Sequence, residues 1–199
     1  MQNVERQVVS RIYAHRRGWA FTPSAFRDIG SPYAVGMALM RLSKRGTVRR
    51  LARGLYDYPK RHPVIGVLSP DPTAVAYALA GKESARLQPS GAYAANLLGL
   101  SEQVPAKITF YTEGPRKKVC IGPQTIELKR TSPRNTITAG RISGLVIQAL
   151  RYLGPDHIDE KVIDALREKL DARAKALLVK DLPYAPAWIA RHIRMIANN

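Results

Sequence analysis

Residues 22–59 read TPSAFRDIGSPYAVGMALMRLSKRGTVRRLARGLYDYP. Thr22-Pro23 and Ser31-Pro32 are two helix-start signals: each places a hydroxyl N-cap before a proline at the first helical position, where its missing N–H costs nothing. The first helix is expected to be short and to stop at Gly30. The second runs from Pro32 to about Ser43, with Val35, Leu39 and Leu42 forming its buried stripe at i, i+4, i+7. At 100° per residue its outward face is Tyr33, Met37, Met40 and Lys44, flanked by Arg41. Gly46 closes that helix. Residues 47–51 and 55–58 then read as two strands around Ala52-Arg53-Gly54, with Gly54 tolerant of positive φ. Helix, turn, helix and basic hairpin together predict a winged helix-turn-helix.

Outward from this stretch, residues 4–16 have helical spacing through Val4, Val8 and Ile12, and Gly18 stops them. Lys60-Arg61-His62-Pro63 reads as a linker. We therefore expect an N-terminal winged helix over 1–61 and a second domain over 62–199, an α+β unit ending in helices. In the second domain, Asp71-Pro72 starts a helix through Ala80. A strand is expected at 85–88, and Ser90 is a candidate cap for a helix over 91–98. Residues 108–112, 118–121 and 125–130 read as strands separated by Gly-Pro turns. Helices are expected over 142–153, 159–179 and 186–196.

Charge points to a class of partner. The chain has 32 Lys and Arg against 15 Asp and Glu, a net of +17. Residues 1–61 hold 13 of those cations against Glu5, Asp28 and Asp57 alone, a net of +10. So uneven a balance implies a polyanion, first of all nucleic acid. A helix presented to the major groove reads base edges near its N-terminus, and cations on a hairpin take phosphates. The base readers are then Ser31, Tyr33, Ala34 and Met37. The phosphate contacts are Arg16 and Arg17 at the end of the N-terminal helix over 4–16, Arg41, Lys44 and Arg45 on the recognition helix, and Arg49, Arg50 and Arg53 on the wing. A further basic face, Arg116, Lys117, Lys118, Lys129 and Arg130, either extends a nucleic-acid footprint or is a solvated strand edge.

Competing chemistry is thin. Glu113 with Glu127-Leu128-Lys129 has the outline of a metal-dependent nuclease, two carboxylates for Mg²⁺ and a lysine for water. The same residues also fit an exposed strand of alternating charge. His15, His62, His157 and His192 share no ligand spacing with each other or with Cys120, so no metal or cofactor is expected. Cys120, in the apolar run Val-Cys-Ile-Gly, is expected to be a buried, inert thiol. There is no nucleophile motif and no glycine-rich phosphate loop. A third possibility is a transcription factor whose second domain senses a ligand. No run is long enough to span a bilayer, and the charged MQNVERQVV start is unlike a signal peptide, so a cytoplasmic protein is expected.

The segments RGTVRRLARGLYDYP (45–59), SGAYAANLLGLSEQVPAKITFYT (90–112) and IELKRTSPRN (126–135) resemble the AbiEi-like antitoxins of type IV toxin–antitoxin systems. The resemblance covers most of the chain and fades after about Arg141. It implies an N-terminal winged helix that binds inverted repeats in its own promoter and represses it. It also implies a C-terminal antitoxin domain that aids DNA binding through a positive face. The implied functional partner is a nucleotidyltransferase-fold toxin, with no stable complex required, and neither a catalytic role nor a membrane is implied.

Overall fold

The computed structural model describes residues 2–81 and 86–198, in a mixed α+β architecture. The chain forms two compact units, Met1–Gly81 with Val119–Ile121, and Lys82–Lys118 with Gly122–Asn199. Residues 62–81, expected in the second domain, thus cluster with the first. No helix among the described residues is long and apolar enough to cross a membrane.

The first unit begins with α1 (Gln2–Ala14), which buries Val8 and Ile12 one turn apart. Strand β1 (Ala20–Phe21) follows. The next segment departs from expectation. In place of a short α-helix there is a single 3₁₀ turn, Pro23–Phe26, after Thr22. Its Thr22 hydroxyl meets Ser24 Oγ at 2.7 Å and caps no backbone amide. What holds the turn is side-chain packing: Phe26 is fully buried edge-on to Phe21 and Trp19. From the other side Arg11 reaches over the Phe26 ring, donating to the Ala25 carbonyl at 2.7 Å and to Asp28.

Helix α2 (Pro32–Lys44) forms as read. Ser31 Oγ accepts from Ala34 N at 3.2 Å, and Val35, Ala38, Leu39 and Leu42 are its buried face. That face packs with α1 and the 3₁₀ turn around Phe21, Phe26 and Val48. Strands β2 (Arg49–Ala52) and β3 (Leu55–Asp57) form the hairpin, and the three strands lie in the order β1-β3-β2, antiparallel throughout. Gly54 takes φ 70° at its tip, the left-handed turn position that a Cβ disfavours. The register slips between Arg50 and Ala52, a bulge beside that tip.

The expected linker at 60–63 is instead the start of a second small hairpin, β4 (Arg61–His62) paired with β5 (Gly66–Val67). Helix α3 (Pro72–Ala80) follows, with Asp71 capping Thr73 N and Ala74 N as its Asp-Pro start implies.

The second unit holds β6 (Leu87–Ser90), α4 (Ala92–Leu97), β7 (Lys107–Thr112) and β9 (Gln124–Arg130); their sheet also takes in β8 (Lys117–Ile121), whose Val119–Ile121 cluster with the first unit. Of the strand expected at 85–88, Ala85 lies outside the described residues. Ser90 does not cap α4: it is the last, buried residue of β6, and Gly91 takes the cap position with no side-chain bond. The sheet order is β6-β7-β9-β8, with β7 and β9 parallel. Strand β8 therefore does not lie between its sequence neighbours. It sits at the edge, and Cys120 on it is exposed, contrary to the buried thiol expected.

Helices α5 (Ile142–Leu153), α6 (Glu160–Lys169), α7 (Ala172–Lys180) and α8 (Ala187–Ala197) complete the unit. The amphipathic run over 159–179 is two helices, because Asp171 caps a new one by accepting from Ala174 N at 2.7 Å. Helix α5 is the hub of the apolar core, with Val146 and Leu150 packed among Leu166, Leu178 and Ile193. Its start is pinned by the buried Asp181, which accepts from Arg141 at 2.8 Å and from the Ser143 hydroxyl. Gly144 allows the helix its close approach, since a Cβ there would lie 2.3 Å from the Gln88 side chain and 2.4 Å from the Thr138 carbonyl.

Candidate nucleic-acid interface

Helix α2 turns Tyr33 and Met40 outward, 75% and 41% exposed, with Lys44 also exposed and Met37 half-buried. This is the face that the 100° periodicity marked. Ser31 is exposed at the N-terminal end, and Ala34 is half-covered there. Ser31 Oγ is engaged in the helix cap, so of the expected base readers it is the one already committed to a structural bond.

The cations sort less simply. Each of the three acids in residues 1–61 is taken by an arginine. Glu5 on α1 holds both Arg41, at 3.1 Å, and Arg45. Asp28 holds Arg11 at 2.6 Å. Asp57, nearly fully buried, accepts two bonds from Arg49 at 2.6 and 3.0 Å across the β2–β3 pair. Arg49 is thus a pin of the hairpin, and Arg41 and Arg45 tie α2 to α1. Arg17 is also occupied: it donates to the Pro59 carbonyl at 3.0 Å and stacks over Tyr58, 4.6 Å from the ring centre. Among the expected phosphate-binding cations, Arg16, Lys44, Arg50 and Arg53 remain exposed with no ion pair among the described residues.

Sequence reading missed these pairings, although Arg49 and Asp57 at the two ends of a short hairpin were a usable sign. It also passed over Arg6, Arg27, Lys60 and Arg61, which are exposed and make no ion pair among the described residues. Arg45 first and then Arg41 hold the Glu5 carboxyl below its ordinary range. Glu5 is therefore ionised throughout the neutral range and neutralises part of the charge of both.

In the second unit the basic face is divided. Lys117, Lys118, Lys129 and Arg130 are exposed, but Arg116 is drawn onto Glu127 at 2.6 Å. Lys107 bonds the same carboxylate at 2.9 Å. Glu127 is only 3% exposed, so the solvated strand of alternating charge expected here is wrong at its centre. Lys107, Thr109, Tyr111, Glu127 and Lys129 line one open cleft with Ser90, on the sheet face opposite Ile108, Phe110, Ile126 and Leu128.

Glu113 is not in that cleft. Thr109 is the register partner of Glu127, and Glu113 lies four residues further along, about 13 Å away at the rise of a strand. It accepts from Thr136 Oγ1 at 2.6 Å instead. The two carboxylates of the nuclease outline are therefore not brought to one ion, whose ligands would stand about 2 Å from it. No group of three or more His, Cys, Asp or Glu among the described residues could hold a metal.

Lys107, then Arg116, hold the Glu127 carboxyl below its ordinary value of 4.5. A carboxyl depressed on folding stabilises above that ordinary value, and the contribution is lost as pH falls through the folded one. Glu127→Gln is therefore expected to flatten the decline of the urea midpoint below about pH 4.5. The two cations are largely exposed, so losing the acid strands no buried charge and costs about 1–2 kcal/mol. Removing both cations (Lys107→Leu with Arg116→Leu) leaves a buried carboxylate alone and costs about 3–5 kcal/mol at neutral pH. Urea unfolding of the two variants from pH 3 to 8 reads the difference.

The fold and these side chains define an α+β protein whose first unit is a basic helix-and-hairpin assembly. The chain belongs to DUF6088, a family of unknown function, whose profile matches residues 7–177. A search of curated proteins finds no significant match.

Proposed function

We propose that residues 1–59 are a winged helix that binds duplex DNA, and that the protein is a transcriptional repressor serving as a type IV antitoxin. One observation carries the DNA reading. A basic unit with the order helix, strand, turn, helix, hairpin leaves the outer face of α2 exposed and leaves Arg50 on β2 and Arg53 at the hairpin tip with no ion pair among the described residues. A helix of that width fits the major groove, with Tyr33 and Met37 near the leading end toward base edges and thymine methyls. Arg50, Arg53, Lys44 and Arg16 supply phosphate contacts. Arg41, Arg45 and Arg49 set the shape of the surface through Glu5 and Asp57.

Fluorescence anisotropy with duplex from the protein's own upstream region tests this reading. The expected result is sequence-preferring binding that weakens steeply between 50 and 200 mM salt. Equal affinity for a scrambled duplex, or none at all, would sink it. Within the same assay, Tyr33→Ala is expected to reduce preference between operator and scrambled DNA about 10-fold while leaving the salt slope unchanged, because it removes contact with bases and not with phosphate.

The antitoxin half rests on the resemblance at 45–59, 90–112 and 126–135 to the AbiEi-like antitoxins. Its test is co-expression with the neighbouring gene: growth arrest by that gene, relieved by this protein, is the expected outcome. The absence of a toxic neighbour would remove it and leave the DNA reading standing.

A further inference from the structure

The strands β4 and β5 make a short ribbon, Arg61–Val67, that begins within the linker expected at 60–63. Three observations single it out. Val64 and Ile65 at its tip are 88% and 73% exposed, and Val67 is exposed beside them. The tip is held in shape without their side chains: His62 Nδ1 accepts from Val64 N at 3.2 Å and from Ile65 N at 3.4 Å. Below it, Leu68 N donates to the Lys60 carbonyl at 2.9 Å, which closes the base. Finally, the ribbon is purely cationic. Lys60 and Arg61 are exposed, and no acidic residue occurs between Asp57 and Asp71.

Apolar side chains presented to water by a ribbon with cationic flanks suit a surface that is anionic outside and apolar within. Duplex DNA is such a surface, with phosphates outside and stacked bases inside. Wedges of isoleucine, proline and similar residues enter the minor groove and part base steps, with Arg and Lys beside them. The chain also restricts the distance. Only residues 58–60 separate β3 from β4, so Arg61 lies within about 14 Å of Asp57 even if they are fully extended. That tether is comparable to the width of the major groove, about 12 Å, so the ribbon stays within about one groove's width of the strand β3.

We propose that the β4–β5 ribbon is a second DNA-contacting element that wedges Val64 and Ile65 into the minor groove and bends the duplex. This inference rests on the winged-helix reading of the same unit.

The test uses the full chain and a duplex of about 20 base pairs from its upstream region, about 68 Å long and dye-labelled at both ends. Wild type is expected to bind and to raise energy transfer between the ends. Val64→Ser with Ile65→Ser is expected to weaken binding about 10-fold, abolish the rise in transfer and leave the salt slope unchanged. Lys60→Ala with Arg61→Ala is expected to lower that slope by about 2. Since all four side chains are exposed, the circular dichroism melting curve should not move. Unchanged affinity and transfer in the serine variant would overturn the wedge while leaving DNA binding by α2 intact. A serine variant that turns a dimer into a monomer in sedimentation, with transfer unaffected, would overturn it in favour of self-association. Failure of wild type to bind any duplex would instead bring down the winged-helix reading, and the wedge with it.

Discussion

Arg50→Ala combined with Arg53→Ala is expected to weaken duplex binding about 100-fold near 0.1 M salt, on operator and scrambled DNA alike. The magnitude follows from counterion release. Each phosphate neutralised contributes about 0.9 to the slope of log K against log salt, which at 0.1 M is close to a factor of ten. Leaving two phosphates without their arginines should therefore also flatten the slope by about 1.8. Arg53 is exposed at the hairpin tip and Arg50 on β2, and neither makes an ion pair among the described residues, so stability should be untouched. Arg49→Ala makes the contrast. Its guanidinium spans β2 and β3 onto the buried Asp57, and removing it strands that carboxylate. Its effect should be seen first in the urea midpoint. Anisotropy titrations at four salt concentrations, with urea unfolding of each variant, separate the two kinds of arginine. A double variant that binds as tightly as wild type would remove the tip from the interface.

Phe26→Ala is expected to destabilise the first unit by about 3–5 kcal/mol, enough to unfold a marginal unit at 37 °C. Phe26 is fully buried between Phe21, Trp19 and the Arg11 guanidinium. It is the anchor of a single 3₁₀ turn with no side-chain cap and no helical ladder behind it. Nothing local can take over when the ring is removed, and the turn sets the entry of the chain into α2. Urea unfolding followed by tryptophan fluorescence reads this directly, since Trp19 packs on the Phe26 ring. A loss under 1 kcal/mol would mean that the backbone, and not the ring, holds the turn.

Where the sequence was legible, it was so for local reasons. Ser31-Pro32, the i, i+4, i+7 stripe and Gly54 act within one turn of chain, and α2 and its hairpin formed as those signals require. The failures are also physical. Thr22-Pro23 carries the same start signal as Ser31-Pro32, yet the chain makes only one 3₁₀ turn. Phe26 buries itself at once, and Gly30 follows before a second turn can close. The amphipathic pattern over 159–179 hid a break because Leu170 stays in the core on both readings. Asp171 is one more charge on a solvated face until its carboxylate is seen capping Ala174. The segment 60–68 contains Pro63 and no alternation, so its pairing is supplied by His62 and Gly66, signals too small to read ahead of the fold.

By itself the sequence determined the charge asymmetry, the outward face of α2 and the turn of the hairpin, because composition, helical period and a positive φ are properties of neighbouring residues. Only the tertiary structure decided which arginines are available. Charges far apart in sequence meet across elements: Glu5 reaches Arg45 over 40 residues, and Asp57 meets Arg49 through strand register. It also decided that Glu113 and Glu127 stay apart, because β7 and β9 are parallel neighbours and β8, which joins them in sequence, lies outside them.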